Sequence, residues 1–292
     1  MSIEIQEIEK KKQNYFGYLQ CIRNLPSVPL IVFEVARLLD NPMTSASELG
    51  KIISNDQGLV AKVLTIANSP LYGIPRRVST IEFAIVILGF DHIKNIVTAL
   101  SMFESFKSKN EANWNKKSYW LHSIFTATAA KRISDELGYP RSGEAFTAAL
   151  LHDLGIAVIQ RYFNDEFLKI CSLSDEQEFR HLSAEKSIMG ITHQEIGQFL
   201  TDKWNLPPIL GEAILYHHTP SQADNNKELA AIVHLADYMT QRFRIDDFGW
   251  DNNYQLDEEV INILNLGDFS YFNKFVDSYE KLFRNQIDSL IK

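Results

Sequence analysis

The chain has little cysteine, glycine or proline, no excess of positive charge, and no evident membrane leader. Cys21 and Cys171 are the only cysteines. Two thiols so far apart, with no CxxC pair, exclude a disulfide scaffold and a thiolate metal site and point to a reducing compartment. Thirteen glycines and nine prolines in 292 residues exclude a low-complexity or collagen-like chain. Lys and Arg total 29 against 37 Asp and Glu, a net charge of -8. Neutralising phosphates needs basic patches, so this balance argues against nucleic acid and against an anionic membrane surface as partners. The densest apolar run, Phe83 to Gly89, falls well short of a bilayer crossing, and the opening residues carry Glu4 and Glu7 where a leader would be apolar. A cytoplasmic protein without a membrane segment is expected.

What is present is helical periodicity. Apolar residues recur at i, i+3 and i+4, and period-2 alternation is nearly absent, which predicts an all-α chain. Helices are expected near 5–22, 29–40, 46–54, 57–67, 80–88, 92–107, 115–137, 143–153, 156–163, 165–172, 175–189, 193–204, 207–218, 227–243, 257–264 and 270–290. Ser45-x-x-Glu48, Ser79-x-x-Glu82 and Thr192-x-x-Glu195 read as capping boxes. Asp56 and Asp91 read as N-caps, Pro29 as a first helical residue, and Gly89 and Gly138 as C-terminal stops. Ala84 through Leu88 reads as a fully buried helix face. A polar stretch from Ser105 to Lys117 suggests a junction between residues 1–110 and 111–292. A second polar break runs from Asp246 to Gln255. The tail aromatics Tyr271, Phe272, Phe275 and Phe283 read as core.

The histidines are unevenly placed. One, His92, precedes the junction; seven follow it: His122, His152, His181, His193, His217, His218 and His234. Five of these with two acids form an ordered series: His122, His152-Asp153, His193, His217-His218, Asp237. Successive antiparallel helices can aim such side chains at one interior point. Imidazole and carboxylate together suit Fe or Mn, with Zn or Mg as further options. One or two ions are expected, with Asp153 bridging if there are two. A lone histidine on an apolar helix is usually structural, and His181 and His234 are read that way. Adjacent helical residues point about 100° apart, so only one of His217 and His218 would face inward on a regular helix. Glu195 is assigned only its capping box.

The same series resembles that of HD metal-dependent phosphohydrolases. Residues 20–240 more closely resemble an HDOD domain, the HD-related output domain of bacterial signalling. The resemblance rests on Leu25-Pro26-Ser27-Val28-Pro29, Asn55-Asp56-Gln57-Gly58-Leu59, Ile66-Ala67-Asn68-Ser69, Ala84-Ile85-Val86-Ile87-Leu88-Gly89, Trp120-Leu121-His122-Ser123, Leu150-Leu151-His152-Asp153-Leu154-Gly155, His193-Gln194-Glu195-Ile196-Gly197 and His217-His218. It implies a helical N-terminal subdomain packed on an HD-like bundle, and a regulatory role exerted on signalling proteins by contact. The alternative it implies is an HD-type phosphohydrolase, in which Asp153 would be catalytic. The chain departs from HD-GYP phosphodiesterases in having Ile156 where they carry lysine after the His-Asp-x-Gly motif. It also lacks their Gly-Tyr-Pro motif after the paired histidines, since Thr219-Pro220-Ser221 follows His218. An apolar side chain cannot stabilise charge on a phosphoryl oxygen.

Overall fold

A computed structural model describes residues 3–106, 115–177, 181–244, 250 and 254–291. The expected junction near residue 110 and most of the second polar break fall outside them. Sixteen α-helices and no strand occur among the described residues. The first six are α1 (Ile3–Cys21), α2 (Leu30–Leu39), α3 (Ala46–Ile53), α4 (Gln57–Ala67), α5 (Ile81–Leu88) and α6 (Phe90–Glu104). Then come α7 (Lys116–Leu137), α8 (Ser142–Leu151), α9 (Leu154–Tyr162), α10 (Asn164–Gln177) and α11 (His181–Met189). The last five are α12 (His193–Lys203), α13 (Pro208–Leu215), α14 (Lys227–Arg242), α15 (Glu259–Ile263) and α16 (Phe269–Ile291). Single 3-10 turns at Pro70–Tyr72 and Pro220–Gln222 were not foreseen.

Local chemistry explains several helix starts. The Ser45–Glu48 and Thr192–Glu195 boxes form with both reciprocal bonds, and the Asp56 carboxylate accepts from the Leu59 N–H. Three expectations shift. Thr80, not Ser79, caps α5 by accepting from the Phe83 N–H; of two adjacent hydroxyls, the extended residue directly before the first turn takes the role. Gly89, at φ 84° and ψ 157°, both ends α5 and begins α6, which puts Asp91 inside the first turn instead of at its cap. Only glycine adopts that backbone readily. Pro29 is the N-cap of α2 itself. Gly138 ends α7 in the left-handed conformation, as expected.

Two apolar clusters hold the helices together. One joins Val35, Leu49 and Ile66 to Phe125, Phe146, Ile232 and Phe283; the other gathers Leu19, Phe103, Ile156, Ile196, Trp204 and Trp250. Both draw on residues from each side of the 107–114 stretch. The α7 helix packs on α8 and α14, α6 on α8, and α12 on α9 and α13. Helix α5 buries Ala84 and Ile85 but exposes Val86 and Ile87. Its neighbours α3, α4 and α6 cover only one face of a short helix that is apolar all round. In the tail, Phe272 and Phe283 are buried and Phe275 packs partly on the core, while Tyr271 is exposed because the next helical position is the buried one. The stretch 142–162 is long and apolar enough to cross a membrane, contrary to the reading that no run reaches that length, but 83% of its apolar 18-residue window is buried inside the protein.

His92 is buried against Tyr72 and Phe146, with its Nε2 2.6 Å from the Tyr72 hydroxyl. Burial, helped by Lys131, pushes its pKa from 6.5 down to about 3. Between those values the unfolded chain takes up a proton that the native site refuses. The native state therefore loses stability as pH falls through 6.5 toward 3, at up to about 1.4 kcal/mol per pH unit from this residue. His92→Gln is expected to flatten the pH dependence of the urea midpoint between pH 6.5 and 4 by that much. An unchanged slope would show that His92 titrates normally.

Candidate metal centre

The seven residues of the ordered series come from five elements. His122 lies in the middle of α7 and Asp237 in α14. His152 caps the end of α8, and Asp153, at φ -96° and ψ 10°, is the hinge into α9. This sparsely populated backbone region recurs at functional sites. His193 opens α12. His217 and His218 lie beyond the end of α13, which stops at Leu215. That early stop answers the expectation that only one of the pair faces inward. Freed from helical spacing, both do, with ring centroids 4.1 Å apart.

The donors fall into overlapping groups whose ligand atoms lie within 4.8 Å of one another: His122, His152 and Asp153; His152, His217 and Asp237; and His193, His217 and His218. All seven residues are thus brought together. Asp153 faces two ways. Its Oδ2 is 3.2 Å from His152 Nε2 and 3.5 Å from His122 Nε2, and its Oδ1 is 3.5 Å from His193 Nε2 and 3.7 Å from His217 Nε2. Asp237 Oδ1 is 3.2 Å from His122 Nε2 and 3.8 Å from His152 Nε2. His193 Nε2 lies 3.2 Å from His218 Nε2 and 3.4 Å from His217 Nε2.

Outer contacts set the direction of the imidazoles. His152 Nδ1 is 2.7 Å from the Ala149 carbonyl, and His217 Nδ1 is 2.6 Å from the Ile214 carbonyl. A carbonyl only accepts, so Nδ1 carries the proton in each ring and Nε2 presents a lone pair inward. His193 Nδ1 donates to the Glu185 carboxylate at 2.8 Å. Metal-bound histidines characteristically use the other ring nitrogen in this way. Burial pushes the His217 imidazole down to about 3, with His152 and His193 adding to the effect. Burial and the neighbouring His217 hold His218 well below its ordinary value. Burial would raise Asp153, but His152 and His122 beside it keep its carboxyl well below the usual range; His122 and His152 likewise outweigh burial at Asp237.

The interior therefore brings two carboxylates among inward-facing imidazole nitrogens. His152 Nε2 and all four carboxylate oxygens of Asp153 and Asp237 are buried and make no hydrogen bond of acceptable geometry. Uncompensated buried anions cost several kcal/mol each. A divalent cation satisfies the whole set, so the residues present fit a metal.

Glu185 and Trp250 were missed in the sequence. Glu185, fully buried in α11, accepts from the backbone N–H of His193 at 2.6 Å and from the indole of Trp250 at 2.9 Å. The available signal was an acid on the helix before His193. His234 and His181 keep their structural reading: His234 Nδ1 is 2.7 Å from the His217 carbonyl, and His181 stacks on Trp250.

Gly155 lets the two halves of the site approach. A Cβ there would lie 2.0 Å from the His193 carbonyl oxygen and 2.8 Å from its Cα, so only glycine lets α9 abut the start of α12.

A model of the HDOD domain matches residues 25–220. The chain belongs to the HDOD domain family. An HDOD domain protein of unknown function from Geobacter sulfurreducens has a similar crystal structure, with a TM-score of 0.77 and 27% identity over 96% of this chain and 98% of that one. A candidate phosphohydrolase from Shewanella amazonensis SB2B aligns with a TM-score of 0.70 over 93% of this chain and 97% of its own, at 20% identity, a likeness of fold alone. An uncharacterized protein of Treponema pallidum (strain Nichols) is 25% identical over 226 residues, 76% of this chain; the chain spans 43% of that relative's length. Six of the seven donors lie within the matched residues, and Asp237 lies beyond them.

Gly155→Ala is expected to destabilise the protein by about 3 kcal/mol or more, at or above the upper end for overpacking, because the obstacle is backbone. A melting temperature within a degree of wild type would show that α9 and α12 can separate freely.

Proposed function

We propose that this HDOD protein is a regulatory output protein of bacterial signalling, built around a His/Asp metal centre and acting on signalling proteins by contact in the cytoplasm. His122, His152, Asp153 and Asp237 would hold one ion, and His193, His217, His218 and the second oxygen of Asp153 another. Fe or Mn suits this mixture of imidazole and carboxylate best, ahead of Zn or Mg. A bound divalent ion supplies Lewis acidity and lowers the pKa of coordinated water.

The observation that carries the regulatory reading is burial. His122, His152, Asp153, His193, His217 and Asp237 are each 0–1% exposed, which leaves little room for a substrate to reach an ion held between them. Ile156, in the position where the phosphodiesterases that the doublet resembles place lysine, is wholly buried in the apolar core. A centre closed in this way favours stabilising one arrangement of helices over turning over a phosphoester.

A second reading, a metal-dependent phosphohydrolase, is favoured by the two-way geometry of Asp153 and by the partial exposure of His218. The Shewanella protein's designation as a candidate phosphohydrolase points the same way.

Anaerobically purified protein is expected to carry up to two equivalents of transition metal, and Asp153→Ala to lose them. Neither cyclic dinucleotides nor generic phosphoesters are expected to be turned over with Mn, Fe, Mg or Zn present. Hydrolysis that disappears in Asp153→Ala would replace the regulatory reading with the second one; metal-free protein that cannot be reconstituted would remove both.

A further inference from the structure

We infer that Glu185 and Trp250 are positioning residues for the three-imidazole half of the centre, and that its occupancy is coupled to Trp250, Tyr254 and Asp257. The inference rests on the metal reading above and adds a control element to it.

The two halves are supported differently. His152 is backed by a backbone carbonyl alone, and its group already contains two carboxylates, Asp153 and Asp237. The group of His193, His217 and His218 shares only Asp153. Its missing anion stands one layer out. Glu185 Oε1 accepts from His193 Nδ1 at 2.8 Å and from Trp250 Nε1 at 2.9 Å, while Oε2 accepts from the His193 backbone N–H at 2.6 Å. A carboxylate behind a ligand imidazole orients the ring and makes its inner nitrogen more basic. Here the carboxylate is itself aimed by an indole, which is clamped between Phe167, with ring centroids 5.0 Å apart at 19°, and His181, at 4.5 Å and 30°.

The chain beyond Trp250 returns to the same half. The Asp257 backbone N–H donates to His234 Nε2 at 2.9 Å, so His234 Nδ1 is the protonated nitrogen and donates to the His217 carbonyl at 2.7 Å. The Tyr254 hydroxyl lies 2.8 Å from His234 Nδ1 and 3.3 Å from the His217 carbonyl, and its ring centroid is 5.2 Å from that of His218. Trp250, Tyr254 and Asp257 thereby reach the His193 and His218 rings and the His217 backbone carbonyl, directly or through one residue. Loading or emptying this half changes the footing of these three residues, which report its state.

The test titrates Mn2+ into metal-free full-length protein, following both equivalents by metal competition and by tryptophan fluorescence. Wild type is expected to bind two equivalents, with the fluorescence change accompanying the weaker one. Trp250→Phe, which keeps an aromatic ring but loses the N–H, is expected to retain the tighter equivalent, weaken the other about 10-fold or more, and lose the fluorescence change. Glu185→Gln should weaken the same equivalent. Leu49→Ala, which lowers stability from within the other apolar cluster, should not. Wild-type affinities in both Trp250→Phe and Glu185→Gln would overturn the positioning role while leaving the metal reading intact. So would equal weakening in Leu49→Ala, which would reduce the effect to lost stability. A wild-type fluorescence that ignores the weaker equivalent would overturn the coupling. Failure of wild type to bind metal at all would remove the metal reading and this inference with it.

Discussion

The hydrogen bond from His152 Nδ1 to the carbonyl three residues earlier, repeated at His217, is the interaction on which the centre depends. A helix leaves its last carbonyls without backbone partners. At the ends of α8 and α13 a histidine side chain turns back to take one of them, Ala149 in one case and Ile214 in the other. Three things are settled by that single contact: the end of the helix is satisfied, the tautomer is fixed, and the second ring nitrogen is turned inward as a lone pair. Had either helix continued for another turn, its carbonyl would have been taken by a backbone N–H and the ring released.

Around that device the fold assembles charge balance. The carboxyls of Asp153 and Asp237 are held below the usual range among buried imidazoles, of which burial pushes His217 and His218 down. The close approach at Gly155 brings the start of α12 against the hinge between α8 and α9, so that one carboxylate serves both groups of histidines. A bulkier hinge would leave two half-sites, each with too few donors.

The ordered histidines and acids were legible because polar residues embedded in apolar helices need a reason to be there, and seven of them in series share one. Several helix starts were legible because Ser45, Asp56 and Thr192 meet a local need that a few residues can express. Thr80 against Ser79, and Gly89 against Asp91, were not separable that way, because the deciding quantity is a backbone angle. The exposure of Val86 and Ile87 depends on how many helices surround α5, which no local pattern records. Glu185 and Trp250 stand 65 residues apart in sequence, and nothing in either neighbourhood announces the other. His217 and His218 came out better than their spacing implied, since the helix ended sooner than its apolar periodicity suggested.

The stretch 142–162 has a bearing on how the chain is made. As it leaves the ribosome, before α7 and α14 cover it, this is the stretch best suited to partition into lipid or be captured by targeting machinery. Its midpoint holds His152-Asp153. A carboxylate near the centre of such a stretch costs about 2.5–3.5 kcal/mol on insertion scales, enough to tip a marginal stretch back toward water. The acid that organises the folded interior is also the charge near the centre of this long apolar stretch.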